Sequence, residues 1–260
     1  MAEIFTNWGL QAFATVGVIT VFGLIVGFLC KMFYTGAGRA GYGLCVATGF
    51  IGTPIHELGH AFFCLVFGHR ITDMKLFQPN SDDGVLGYVN HSYNPRNVYH
   101  QIGNFFIGVG PIVFGSGALL GLMALLIPDT LALVSASVFV EGGSFESVLG
   151  AFSSLFTAIF AGENFSTWQF WVFLVLACLI TLHMTLSPAD VKGSIVGVVY
   201  ILVLLLVLNV ALYFLAYEAM LAVTEALVGV GVTIACFLAI AGIFSALMAV
   251  VGMVLRIVIK

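Results

Sequence analysis

The chain has 260 residues, 61% of them hydrophobic and only 8% charged, against about 25% charged in an ordinary soluble domain. Eight Lys+Arg and 12 Asp+Glu, with a net charge of -4, cannot cover a water-facing surface of this size and include no basic run for nucleic acid. The composition argues against a soluble enzyme, a disordered tail or a nucleic-acid binder, and for an all-α polytopic membrane protein forming a single membrane domain over 1–260.

Six apolar spans are expected, at about 8–30, 44–67, 102–127, 168–186, 195–217 and 227–255. Each is close to or beyond the roughly 20 residues that cross a bilayer as a helix, and a lipid-embedded backbone must satisfy its own hydrogen bonds. Met1–Asn7 carries Glu3 and no Lys or Arg, so the first run reads as a retained span rather than a signal peptide. Cys30, Cys45, Cys64, Cys178 and Cys236 are odd in number, lie in or beside apolar runs and contain no C-x-x-C pair. They read as small packing residues.

The second span contains Thr53-Pro54-Ile55-His56-Glu57-Leu58-Gly59-His60. Histidines at i and i+4 share one face of a helix, so both imidazoles can reach one ion. Glu57, one residue after the first His, can stand beside that ion without ligating it and act as the base that deprotonates water. Pro54 suits a helix start or a break at this point. An acidic group at midspan costs about 2.5 kcal/mol or more on insertion scales, so a polar cluster that merely glues helices explains the motif poorly. His56, Glu57 and His60 are the candidate site.

The connection 68–101 is the densest polar stretch. Within it, Gly84 to Asn90 reads as a short strand after an Asp-Asp-Gly turn, giving a small β-hairpin or strand element after the second span. His69 and His91 sit in polar loop sequence and are expected to be solvated. In the third span, Gly108 and Gly110 suit close helix approach and Pro111 a kink; Asn104 reads more simply as a helix-end hydrogen bond than as a substrate contact. The connection 128–167 mixes Ser, Gly and apolar residues, and Phe145–Phe160 suits a helix in the membrane interface. Gly23-x-x-x-Gly27 and Gly117-x-x-x-Gly121 allow close helix packing and receive no function.

A catalytic metal needs a third protein ligand and an open position. Asp190, in Ser187-Pro188-Ala189-Asp190-Val191-Lys192-Gly193 between two apolar runs, is favoured over His183 and His100. Six spans place Arg70, Lys75, Arg96, Lys192, Arg256 and Lys260 on the side of the N-terminus and only Lys31 and Arg39 on the other. The basic side is cytoplasmic, so both termini and the site belong near the cytoplasmic face of the cell membrane. Glu218 and Glu225 fall on the opposite side.

These residues resemble the site-2 protease family of intramembrane zinc metalloproteases, in a minimal form without a PDZ domain. The resemblance rests on His56-Glu57-x-x-His60 in a span, on Leu86-Gly87-Tyr88-Val89 after it, on Gly108-Val109-Gly110-Pro111-Ile112 and on Asp190. It covers 44–197 as a metalloprotease core and leaves 198–260 as accessory spans. The family's Asp-Gly is absent here, since Val191 follows Asp190. The resemblance implies one Zn2+ ion held by His56, His60 and Asp190, with Glu57 as the catalytic base. It implies hydrolysis of a single-span membrane substrate within the lipid bilayer. The strand offers Leu86, Gly87, Tyr88, Val89 and Asn90 to bind an unwound substrate by β-augmentation. The alternative is a non-proteolytic metal-binding membrane protein, either a metal permease or a protease-like scaffold. The second half of the chain is poor in the polar groups that transport requires, and six histidines with one paired cluster are too few for a di-iron oxidase.

Overall fold

The computed structural model describes residues 1–82, 84–138 and 145–258; Asp83 of the expected turn therefore lies outside the described residues. The chain runs through α1 (Ala2–Ala12), a π-helical turn at Phe13–Gly17, α2 (Val18–Gly36), α3 (Gly41–Val66), β1 (Arg70–Lys75), β2 (Tyr88–Ser92) and α4 (Val98–Leu126). It continues through α5 (Pro128–Val138), α6 (Phe145–Ile159), α7 (Trp168–Thr181), α8 (Pro188–Leu215) and α9 (Tyr217–Val258). Among the described residues, four helical stretches are long and apolar enough to cross a bilayer: Ala2–Gly36, Val98–Leu126, Pro188–Leu215 and Tyr217–Val258. The protein is thus a helical, multi-pass membrane protein with a small two-stranded sheet. The 26-residue α3 is not among the four, because His56, Glu57 and His60 dilute its apolar character.

Several sequence expectations need correction. The fourth span is helical only over Trp168–Thr181. Pro188 disfavours helical backbone at the residue before it, and Ser187 is extended at ψ 157 as the N-cap of α8. Leu182 is still helical at φ -59, ψ -19, a turn follows at 182–183, and residues 184–187 run outside any helix to α8. Asp190 lies in the first turn of α8, rather than at the end of the fourth span. Pro54 neither starts nor breaks a helix, since α3 is continuous from Gly41 to Val66. The strand begins at Tyr88, not at Gly84, and it pairs antiparallel with β1, with an irregularity between Ile71 and Asp73. A helix over Phe145–Ile159 forms where the interfacial one was expected.

Two glycines of α4 set how closely the central helices meet. A Cβ at Gly110 would lie 2.6 Å from the Gly59 carbonyl oxygen on α3, and one at Gly108 would collide with Ser194 Oγ and Asp190 O on α8. Helix backbones approach this closely only where side chains are absent. Through these two contacts α4 draws the histidine face of α3 and the first turn of α8 to one place. A second tie lies far along the chain. Gln11 of α1 bonds both Asn209 of α8 and Thr224 of α9, and the amides of Gln11 and Asn209 are fully buried. Such interhelical bonds contribute about 0.6–2 kcal/mol each in lipid and fix register where apolar packing alone does not.

Candidate metal centre

His56, Glu57 and His60 project from the middle of α3, and Asp190 from the first turn of α8. The ligand atoms of His56, His60 and Asp190 all lie within 4.8 Å of one another. His60 Nε2 is 3.2 Å from His56 Nε2 and 3.4 Å from Asp190 Oδ1. Each imidazole has its other nitrogen committed: His56 Nδ1–H donates to the His183 carbonyl at 2.7 Å, and His60 Nδ1–H to the Ile107 carbonyl at 2.7 Å. An Nδ1–H tautomer leaves a lone pair at Nε2, so two lone pairs and a carboxylate oxygen converge. A donor set of two imidazoles and one carboxylate fits a divalent cation, and carbonyl acceptors behind ligating histidines are the usual means of fixing ring and tautomer.

Asp190 is oriented by a reciprocal pair of bonds. Ser187 N–H donates to Asp190 Oδ2 at 2.8 Å, and Asp190 N–H donates to Ser187 Oγ at 3.1 Å. This capping box occupies one carboxylate oxygen and leaves Oδ1 for the imidazoles. The Ser-x-x-Asp spacing announces it in the sequence, a signal the motif reading missed. The carbonyls of Ile107 and His183 carry no comparable sequence signal.

The rejected ligand candidates have other tasks. The His183 ring turns away from the centre, with Nε2 2.9 Å from Thr48 Oγ1 and Nδ1 3.4 Å from Thr53 Oγ1; only its carbonyl serves the site. His100 Nδ1 accepts from Asn94 N–H. His69 is not solvated as expected: it is buried at 3% exposure, stacked on Tyr93 and bonded to His91 and to the His100 carbonyl. β2, Tyr93 after it and the first turn of α4 supply those partners, and burial pushes its imidazole below the ordinary histidine pKa. His91 is half-buried and lowered in the same way, with His69 and His60 adding to the effect. Asn104 makes no helix-end bond, since Asn97 caps α4. Its amide donates to Gln101 Oε1, and Asn104 lines the cleft described next.

A cleft of about 710 Å³ opens beside the three converging groups. Its walls are His56, Glu57 and His60 of α3, Asn104, Ile107 and Gly108 of α4, Ser187–Asp190 and Gly193 at the start of α8, and residues 87–91 with Val85 and Tyr93. Glu57 is buried and stands outside the three-ligand group. Of the expected substrate strand, Gly87, Tyr88, Val89 and Asn90 line the cleft. Leu86 does not; its side chain faces Gly49 on α3, and its carbonyl accepts from Gln78 N–H.

Gly87 lies directly on the Glu57 side chain. A Cβ there would come 2.8 Å from both Glu57 Cγ and Thr53 Cγ2. Gly87→Ala must push Glu57 or the strand aside. Overpacking of this kind costs about 1–3 kcal/mol, so Gly87→Ala is expected to lower the unfolding temperature of the chain. An unchanged unfolding temperature would show that this contact sets nothing.

No protein-family model, curated protein or solved structure matches the chain.

Proposed function

We propose that the protein is an intramembrane zinc metalloprotease of the site-2 protease type, hydrolysing peptide bonds of membrane-embedded single-span helices. One observation carries the reading. The Nε2 atoms of His56 and His60 converge with Asp190 Oδ1, each imidazole held from behind by a carbonyl, at the wall of a cleft that Glu57 also lines. In this reading His56, His60 and Asp190 hold the ion, and zinc supplies Lewis-acid activation of water and of the scissile carbonyl. Glu57 accepts the proton of the attacking water on its carboxylate and returns it to the leaving amine nitrogen.

A helical substrate hides its carbonyls in i→i−4 bonds, so a segment must unwind before attack. The second edge of β2 has no strand against it among the described residues. Residues 87–90 border the cleft, so an unwound segment can add to β2 through backbone bonds, with little sequence demand. The same reading takes α1 with α2, α3, α4, α7, α8 and α9 as six crossings of the cell membrane. It puts both termini and the metal centre toward the cytoplasm by the Lys/Arg bias, with 44–197 as the proteolytic core.

The test is cleavage of a panel of single-span helices by the purified chain in liposomes. Cleavage is expected, is expected to stop on removal of metal by a chelator, and to return with zinc. Cleavage that survives chelation contradicts the reading. Zinc uptake into sealed vesicles without cleavage would favour a permease.

A further inference from the structure

The imidazole of His60 is held by a carbonyl that belongs to a helix interior. Ile107 lies well within α4, where its carbonyl would ordinarily accept the N–H of the residue four positions on. That residue is Pro111, which sits inside the continuous helix and is buried. Proline has no N–H, and its ring crowds the carbonyl of residue i−4. The Ile107 carbonyl is thereby denied its helical donor, and it accepts His60 Nδ1–H at 2.7 Å instead. A buried carbonyl left without a donor is destabilising, and His60 supplies the donor.

Neighbouring contacts make the pairing possible. Gly59, adjacent to His60, faces Gly110 and the Pro111 nitrogen so closely that a Cβ at residue 59 would lie 2.6 Å from Gly110 O and 2.8 Å from Pro111 N. The α3 backbone therefore meets α4 right at the proline, and His60 is placed where the released carbonyl is. The corresponding carbonyl behind His56 belongs to His183, beyond the end of α7, where no helical donor follows. Both imidazoles thus rely on carbonyls that the helical ladder does not use, one set free by a helix end and the other by a proline.

We propose that Pro111 is a positioning residue for the metal centre, which withholds an N–H from Ile107 so that its carbonyl fixes the ring and tautomer of His60. This inference rests on the metalloprotease reading, but its test separates the two. Pro111→Ala restores an N–H that can bond Ile107 O and compete with His60, while alanine is the better helix former. The prediction is a split. The metal-free Pro111→Ala chain unfolds at the wild-type temperature or above, yet binds zinc about 10–100-fold more weakly, the range for losing an outer-shell partner.

A second replacement isolates the missing donor. Lactic acid at position 111 gives the alanine side chain with an ester oxygen in place of the N–H, and is expected to bind zinc within a few-fold of wild type. Zinc affinity of the full chain, measured in detergent by chelator competition, decides. Wild-type affinity in Pro111→Ala overturns the inference, as does equal weakening by alanine and lactic acid. If the wild-type chain itself takes up no zinc, the metalloprotease reading falls, and this inference with it.

Discussion

Replacing Glu57 with Gln is expected to leave zinc bound and to lower turnover by about 10²–10⁴-fold, the usual contribution of a positioned general base. Glu57 sits between the two histidines in sequence yet outside the group formed by His56, His60 and Asp190. It lies against Gly87 and Thr53, as the space a Cβ would occupy at residue 87 makes plain, so an amide of the same shape keeps that packing. What the amide loses is the ability to accept a proton at neutral pH. Cleavage rate and zinc content must therefore separate in this variant. Undiminished cleavage would remove Glu57 from the mechanism, and zinc lost along with activity would make it a ligand instead of a base.

Asp190→Ala is expected to act in the opposite way, on zinc first and on turnover as a consequence. Only two imidazoles would remain at a site that needs three protein ligands, so affinity should fall by more than the roughly 10–100-fold typical of an outer-shell loss. The substitution also removes the capping box that joins Ser187 and Asp190, worth about 1 kcal/mol at a helix start. Ser187→Ala separates these effects, because it removes the Oγ that accepts from Asp190 N–H and keeps the carboxylate. It should cost comparable stability and only a modest share of zinc affinity. Zinc binding unchanged in Asp190→Ala would show that Asp190 is not the third ligand.

The histidine pair and Glu57 were legible because their spacing is a property of one helix, fixed at i, i+1 and i+4 whatever surrounds it. Asp190 was legible by its chemistry but not by its local structure. The break at Pro188 converts the end of an apolar run into residues 182–187 and the cap of α8, which hydropathy cannot show. Apolar runs were found wherever length and composition suffice, as in α4 and α9. The 14-residue α7 shows where that signal ends, since residues 182–186 continue the apolar run through His183 and Thr185 and yet belong to no helix. His69 reads as solvated by its polar neighbours. It is buried because α4 and β2 return across it, and that depends on contacts between distant parts of the chain. The carbonyls of Ile107 and His183 were beyond reach for another reason: every residue has a carbonyl, and only the missing N–H of Pro111 marks one of them.

The zinc content of the purified 260-residue chain, measured by elemental analysis beside a variant in which His56 and His60 are both replaced by Ala, tests the metal centre itself. A zinc ion held by this histidine pair means one ion per wild-type chain and none in the double variant. A wild-type chain that cleaves a membrane helix without zinc, or zinc that persists without the two histidines, would contradict it.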